Sequence, residues 1–84
     1  MALCYINGTF MPLEEASLPV SDFIILRGVG VFESICTFRR RPLMLTPHLE
    51  RLASSAGGAC MAMPMPLEDI REVILQGISR MTEE

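Results

Sequence analysis

His48 and Arg51 stand three residues apart, a spacing that puts both near one face of a helix with Leu49 and Leu52 turned the other way. A planar guanidinium on a rigid helix suits two-pronged recognition of a phosphate, so the pair reads as an anion clamp. The plainer reading of the same spacing is a surface histidine beside a solvated arginine. All seven cationic side chains are arginines, at positions 27, 39, 40, 41, 51, 71 and 80, and there is no lysine. Chemistry that needs a side-chain primary amine is therefore excluded within these 84 residues.

Other candidate motifs carry less. Gly28-Val29-Gly30 fails as a dinucleotide fingerprint, because Glu33 holds the third glycine position and a strand-like run follows where a helix should. It also lacks the lysine of a phosphate-binding loop, and reads as a sharp turn where the backbone approaches something closely. Arg39-Arg40-Arg41 sits in an acidic chain, net charge −3, with no interleaved aromatics, so it reads as a solvated hairpin tip and not a nucleic-acid site. Met61, Met63 and Met65 alternate beside Cys60; soft sulfurs in this pattern could hold Cu(I), but methionine is also the common filler of irregular links. Cys4, Cys36 and Cys60 are odd in number and far apart, and His48 is the one histidine, which argues against a structural zinc site. Reduced, partly buried thiols of a cytoplasmic protein are the expectation.

Half the residues are hydrophobic, 20% are charged, and the mean hydropathy is +0.37. That excludes a disordered tail and describes a chain more apolar than a lone domain of this size can bury. No apolar run approaches the length of a membrane span, and the N-terminus lacks the pattern of a secretory signal.

The elements that must position these residues follow from local signals. Asn7-Gly8 between Leu3-Cys4-Tyr5-Ile6 and Thr9-Phe10-Met11-Pro12 predicts a hairpin with strands at 3–6 and 9–12. Residues 13–22 read as a connection with a short helical turn or an extended piece. Phe23-Ile24-Ile25-Leu26 fits either a helical turn or a buried strand. Residues 31–38 are rich in β-branched and aromatic side chains and predict a strand covered on both faces, with Arg39–Arg41 as the tip and Leu43-Met44-Leu45 as the return strand. Thr46 and Pro47 predict a helix start, Leu49, Leu52, Ala53 and Ala56 its buried stripe, and Gly57-Gly58 its stop. Pro66 opens a second helix with Glu68 and Asp69 in its first turn and an apolar face of Leu67, Ile70, Val73, Ile74, Ile78 and Met81. Strands followed by helices imply a small two-layer α+β domain, an antiparallel sheet packed against two helices.

Three pieces in this order resemble a known family. Tyr5-Ile6-Asn7-Gly8, then Arg27-Gly28-Val29-Gly30-Val31-Phe32-Glu33-Ser34, then His48-Leu49-Glu50-Arg51-Leu52 with Ser55-Ala56, are similar to the N-terminal small domain of class IV aminotransferases. These are the fold-type IV pyridoxal-phosphate enzymes: branched-chain aminotransferase, D-amino-acid aminotransferase and aminodeoxychorismate lyase. The resemblance runs from about residue 3 to residue 81. It implies that Arg51 binds the cofactor phosphate and that Phe32 lines the substrate pocket. It places Arg27 where branched-chain enzymes tend to carry a tyrosine, within reach of a substrate carboxylate, including one in a neighbouring subunit's site, since the family is usually dimeric. Ser34 replaces a frequent glycine and would narrow or polarise the pocket wall.

The resemblance further implies a second, C-terminal domain with the Schiff-base lysine, so the chain is expected to act as the small domain of such a transaminase for a small amino acid. It would meet that domain, and another copy, through an exposed apolar face. An aminodeoxychorismate-lyase-type domain is the alternative within the family, and a non-catalytic dimerisation or scaffold module the alternative outside it. Pyridoxal phosphate is expected in the parent enzyme and not on this chain alone. Mixing the chain with pyridoxal phosphate and an amino donor is expected to yield no protein-bound imine absorbance and no keto acid. Appearance of either would overturn that expectation.

Overall fold

The computed structural model describes residues 2–81. The first strands form as the Asn-Gly signal requires: β1 (Leu3–Ile6) and β2 (Thr9–Pro12) pair antiparallel, with Ile6 opposite Thr9. Asn7 and Gly8 both take positive φ, +49° and +90°, which a two-residue turn matched to strand twist demands. Tyr5 and Phe10, directly opposed, meet edge to face at 4.9 Å. A 3-10 turn at Leu13–Glu15 leads through an exposed stretch to α1 (Phe23–Arg27), a single helical turn. The Asp22 carboxylate caps α1 by accepting the Ile24 N–H at 2.9 Å, and Gly28 closes it in the left-handed region at φ +65°.

The strand expected over 31–38 is shorter. Only Thr37–Phe38 (β3) pairs, with Arg41–Pro42 (β4). Burial nevertheless alternates along the whole run: Val31, Glu33, Ile35 and Thr37 are half-buried, while Phe32, Ser34, Cys36 and Phe38 are exposed. This is the period of an extended segment with one face turned inward. The expectation that both faces are covered is therefore corrected, most plainly by Phe32 at 82% exposure. The expected return strand at 43–45 does not form either. The last backbone tie of the hairpin is Leu43 N–H to the Cys36 carbonyl at 2.8 Å; Met44 then turns left-handed at φ +55° and Leu45 begins a helix. As that helix's first residue Leu45 is 6% exposed, so burial of its side chain goes with leaving the sheet.

The helices α2 (Leu45–Gly58) and α3 (Leu67–Arg80) follow the predicted stripes. Leu49 and Ala56 of α2 are buried, and every residue expected on the apolar face of α3 is at least half-buried. Thr46 is not the N-cap; it lies inside the first turn, and its hydroxyl accepts from Arg71 of α3, tying the two helices together. Pro47 is tolerated there because its missing N–H is one of the four that have no partner inside the helix.

The first sheet packs on α3, which also packs on α2, so α3 is the middle of the assembly. The close approach of sheet and helix is made at Gly77, where a Cβ would lie 3.4 Å from the Phe10 ring, and Arg80 stacks over that ring at 4.3 Å. The second hairpin reaches α3 through its tip. Arg40 is exposed, as expected of the tip, but it is also tied down: its guanidinium donates to the carbonyls of Ile78 at 2.8 Å, Ser79 at 3.3 Å and Met81, satisfying acceptors that the helix end leaves open. Arg39 stacks on Phe38 and Arg41 stays exposed. Cys4 is half-buried, whereas Cys36 and Cys60 are exposed rather than partly buried, and all three are free thiols.

Among the described residues three apolar side chains are buried: Leu45, Leu49 and Ala56. The accessible surface is 6359 Å², against about 5,000 Å² for a compact monomer of this mass. The radius of gyration, 13.6 Å, likewise exceeds the roughly 12 Å of a compact chain this long. Much of the apolar part of this surface is continuous in sequence, from Leu18 and Val20 through α1 to Val29 and Phe32. With so small a core, each buried side chain counts. Leu49→Ala is expected to cost about 2–4 kcal/mol of stability. Phe32→Ser should change it by less than about 0.5 kcal/mol. Urea unfolding of both variants checks the contrast, and equal losses would contradict this placement of the core.

Candidate functional site

The inward-facing run Val31, Glu33, Ile35 aims one carboxylate at the first turns of α2. There the helix presents His48 and Arg51 on adjoining positions of one face, while Leu49 points into the core. The Oε1 oxygen of Glu33 lies 2.5 Å from Nδ1 of His48 and 2.8 Å from Nη2 of Arg51. An ionised carboxylate only accepts, so at this distance Nδ1 carries the proton and donates to Glu33. It then has no lone pair for Arg51, and the 3.1 Å approach of Arg51 Nη2 to Nδ1 is a consequence of both donors converging on one oxygen.

The electrostatics agree from both sides of the ion pair. The Arg51 N–H, and after it the His48 N–H, hold the Glu33 carboxyl below the usual carboxylate value, with partial desolvation opposing them. Glu33 in turn raises the Arg51 guanidinium above its ordinary range. The Glu33 side chain is only 15% exposed, whereas that of Arg51 is 67% exposed. The carboxylate is thus the enclosed, fixed partner, and the guanidinium reaches outward from it into solvent.

Of the residues expected to form the site, the structure joins Arg51 to His48, and adds Glu33, which sequence reading placed on a strand face without a role. The signal was available in principle: a lone acid among Val31, Ile35 and Thr37 on an inward face calls for a cationic partner. Arg27, Phe32 and Ser34 are exposed. Phe32 and Ser34 lie on the outer face of the run, opposite Glu33, and Arg27 ends α1. Two clefts of about 300 Å³ flank α3, one lined by Ile35, Arg40 and Ile78 among others, the second by Tyr5, Asn7 and Met65 among others. Neither is lined by Arg27, Phe32, Ser34 or Arg51. Among the described residues no group of three or more His, Cys, Asp or Glu side chains could hold a metal ion, and no helix is long and apolar enough to cross a membrane.

Fold and site together define a small α+β domain that presents an arginine, fixed by a buried-side carboxylate, at an open surface. No family model matches the chain. Among curated proteins, a protein of Methanocaldococcus jannaschii named provisionally as a branched-chain-amino-acid aminotransferase is 36% identical over 72 residues, 86% of this chain and 25% of the relative. The aminodeoxychorismate lyase of Bacillus subtilis is 38% identical over 50 residues, 60% of this chain and 17% of the relative. The chloroplastic D-amino-acid transaminase of Arabidopsis thaliana is 32% identical over 62 residues, 74% of this chain and 17% of the relative. The chain belongs to the class IV aminotransferase family and spans a quarter or less of the length of these relatives.

A carboxylate whose pKa is lowered by folding stabilises the fold only while it is ionised. The contribution of Glu33 is therefore present in full above about pH 4.5 and is lost as the pH falls through the lower folded value. Unfolding measured from about pH 7 to about pH 3 should show Glu33→Gln less stable than the unsubstituted chain at the upper end, with the difference closing at the lower end. A difference that persists undiminished in acid would contradict the ion pair.

Proposed function

We propose that the chain supplies the phosphate grip and one wall of the substrate pocket of a pyridoxal-phosphate-dependent aminotransferase for a small amino acid, of branched-chain or D-amino-acid type. One observation carries this reading: Glu33 ties the Arg27–Ser34 run to the His48–Arg51 helix, so two motifs that resemble the family separately are held together in space. Arg51 fits the cofactor's phosphate. Its guanidinium is two-thirds exposed, and among the described residues its ion-pair partner is Glu33, which engages it through Nη2 alone. The other half of the cofactor's needs is not met here, since no side chain of these 84 residues can form its Schiff base. A second, lysine-bearing domain completes the site in this proposal, and the chain is the family's N-terminal domain.

When bound, the cofactor serves as the electron sink for changes at the amino acid's α-carbon. The residues of this chain do the positioning. Arg51 holds the phosphate and thereby fixes the register of the cofactor ring. Phe32 and Ser34, on the outward face, form a wall toward the lysine-bearing domain, apolar at Phe32 and hydroxylated at Ser34. Arg27, on the exposed turn before them, meets a substrate carboxylate, in its own site or that of a second copy. The exposed apolar run from Leu18 to Phe32 is covered by that domain and by homo-oligomerisation in the cytoplasm. The lyase reading differs only downstream of the same grip; the 38% identity to the Bacillus subtilis enzyme favours retaining it as the second assignment.

The test is made on the chain joined to its lysine-bearing domain. Arg51→Ala should weaken affinity for pyridoxal phosphate on the order of 10–100-fold, the worth of a charge-assisted contact, and leave affinity for dephosphorylated pyridoxal unchanged. Equal effects on the two ligands would remove Arg51 from the phosphate site.

A further inference from the structure

We propose that Glu33 is the positioning residue for Arg51: it holds the guanidinium still, with one bidentate edge open, so that a phosphate monoester meets a preformed receptor. The inference rests on the phosphate-grip reading above and adds a residue that reading did not contain.

The geometry separates two roles Glu33 could play. A carboxylate beside a phosphate site is a competitor if it occupies the edge that the phosphate needs. A guanidinium has two bidentate edges, and they share Nη2, which contributes a different N–H to each. Glu33 touches Arg51 through Nη2 alone. It therefore consumes one of five N–H groups and leaves the other edge whole. Both donors converge on the same oxygen, Oε1, and that oxygen sits on an enclosed side chain while the guanidinium projects outward. The carboxylate thus acts from behind. His48 braces it from a second direction, so the carboxylate is pinned between two residues one helical turn apart on α2.

The physical gain is ordering. An arginine on an exposed helix face loses several rotatable bonds when it grips an anion, and fixing it beforehand removes part of that cost. The electrostatic loss from a nearby negative charge is limited, because Glu33 already faces the His48 N–H as well as Arg51. Because one neutral oxygen can accept both N–H groups, a glutamine retains the tie while removing the charge. An alanine removes both.

The experiment titrates inorganic phosphate into the chain near neutral pH and follows the side-chain 15N resonances of Arg51, assigned by their loss in Arg51→Lys. In the unsubstituted chain the two Nη groups should give separate signals, the mark of a guanidinium held against rotation, and phosphate should shift them. In Glu33→Ala the Nη signals should merge and the apparent phosphate affinity fall about 3–10-fold. In Glu33→Gln the affinity should stay within about twofold of the original. Glu33→Asp, which draws the oxygen back by one methylene, is expected to behave as the alanine variant and serves if alanine fails to fold. Phosphate binding to the alanine or aspartate variant as tightly as to the unsubstituted chain, or more tightly, makes Glu33 a bystander or a competitor and overturns the proposal. No response of Arg51 to phosphate in the unsubstituted chain instead refutes the phosphate-grip reading itself, and the inference with it.

Discussion

One oxygen atom, Oε1 of Glu33, holds the site together. Without it, the extended run from Val31 to Cys36 would have no directed tie to α2, because its backbone makes no regular strand pairing before Thr37. Val31 lines an apolar hollow with Leu52 and Ala56 of α2, but apolar attraction is non-directional and leaves the register loose. The paired charges choose the register. They work here because the carboxylate is enclosed enough to need partners and Arg51 exposed enough to bring its charge without a large desolvation cost.

The same division of labour recurs across the molecule. Only three of the described residues are buried, so apolar packing alone cannot align four strands and two long helices. Arginines supply the alignment: Arg40 on the carbonyl end of α3, Arg71 on the hydroxyl of Thr46, Arg80 over Phe10, and Arg51 on Glu33. Each reaches between elements distant in sequence. The arginine's flat, multi-donor head makes this possible, since it can meet several carbonyls or a ring face, where a lysine offers one compact charge. A chain whose cations are all arginines is thereby suited to a fold with a thin core. The surplus of exposed apolar surface is the other side of this economy, and much of it lies on the segment that carries Arg27 and Phe32.

Local signals were legible where the cause was local. The Asn7-Gly8 hairpin appears in the expected register because both residues accept positive φ, and the stripes of α2 and α3 face inward because apolar spacing matches the helical period. The run 31–38 misled because its β-branched and aromatic residues describe a strand whichever side is covered. What trims it to Thr37–Phe38 is the left-handed turn at Met44 and the burial of Leu45 in α2, both remote from the run itself. Arg40 shows the same limit: the tip is exposed as its three arginines suggest, but nothing local reveals that a helix end lies beside it to be capped.

The order of residues by itself determined the class of the fold, the hairpin, both helices, the absence of any side-chain primary amine within the 84 residues, and the nomination of Arg51 as an anion-binding residue. Periodicity, turn chemistry and residue type act over a few positions, so these could be read directly. Only the tertiary structure decided that Glu33 is the partner of Arg51 and His48, that Phe32 and Ser34 face outward, and that Arg40 closes α3. Those outcomes depend on which surfaces meet after some fifteen to forty intervening residues have turned. No local preference encodes such a meeting; it is settled by where the few buried side chains allow the elements to pack.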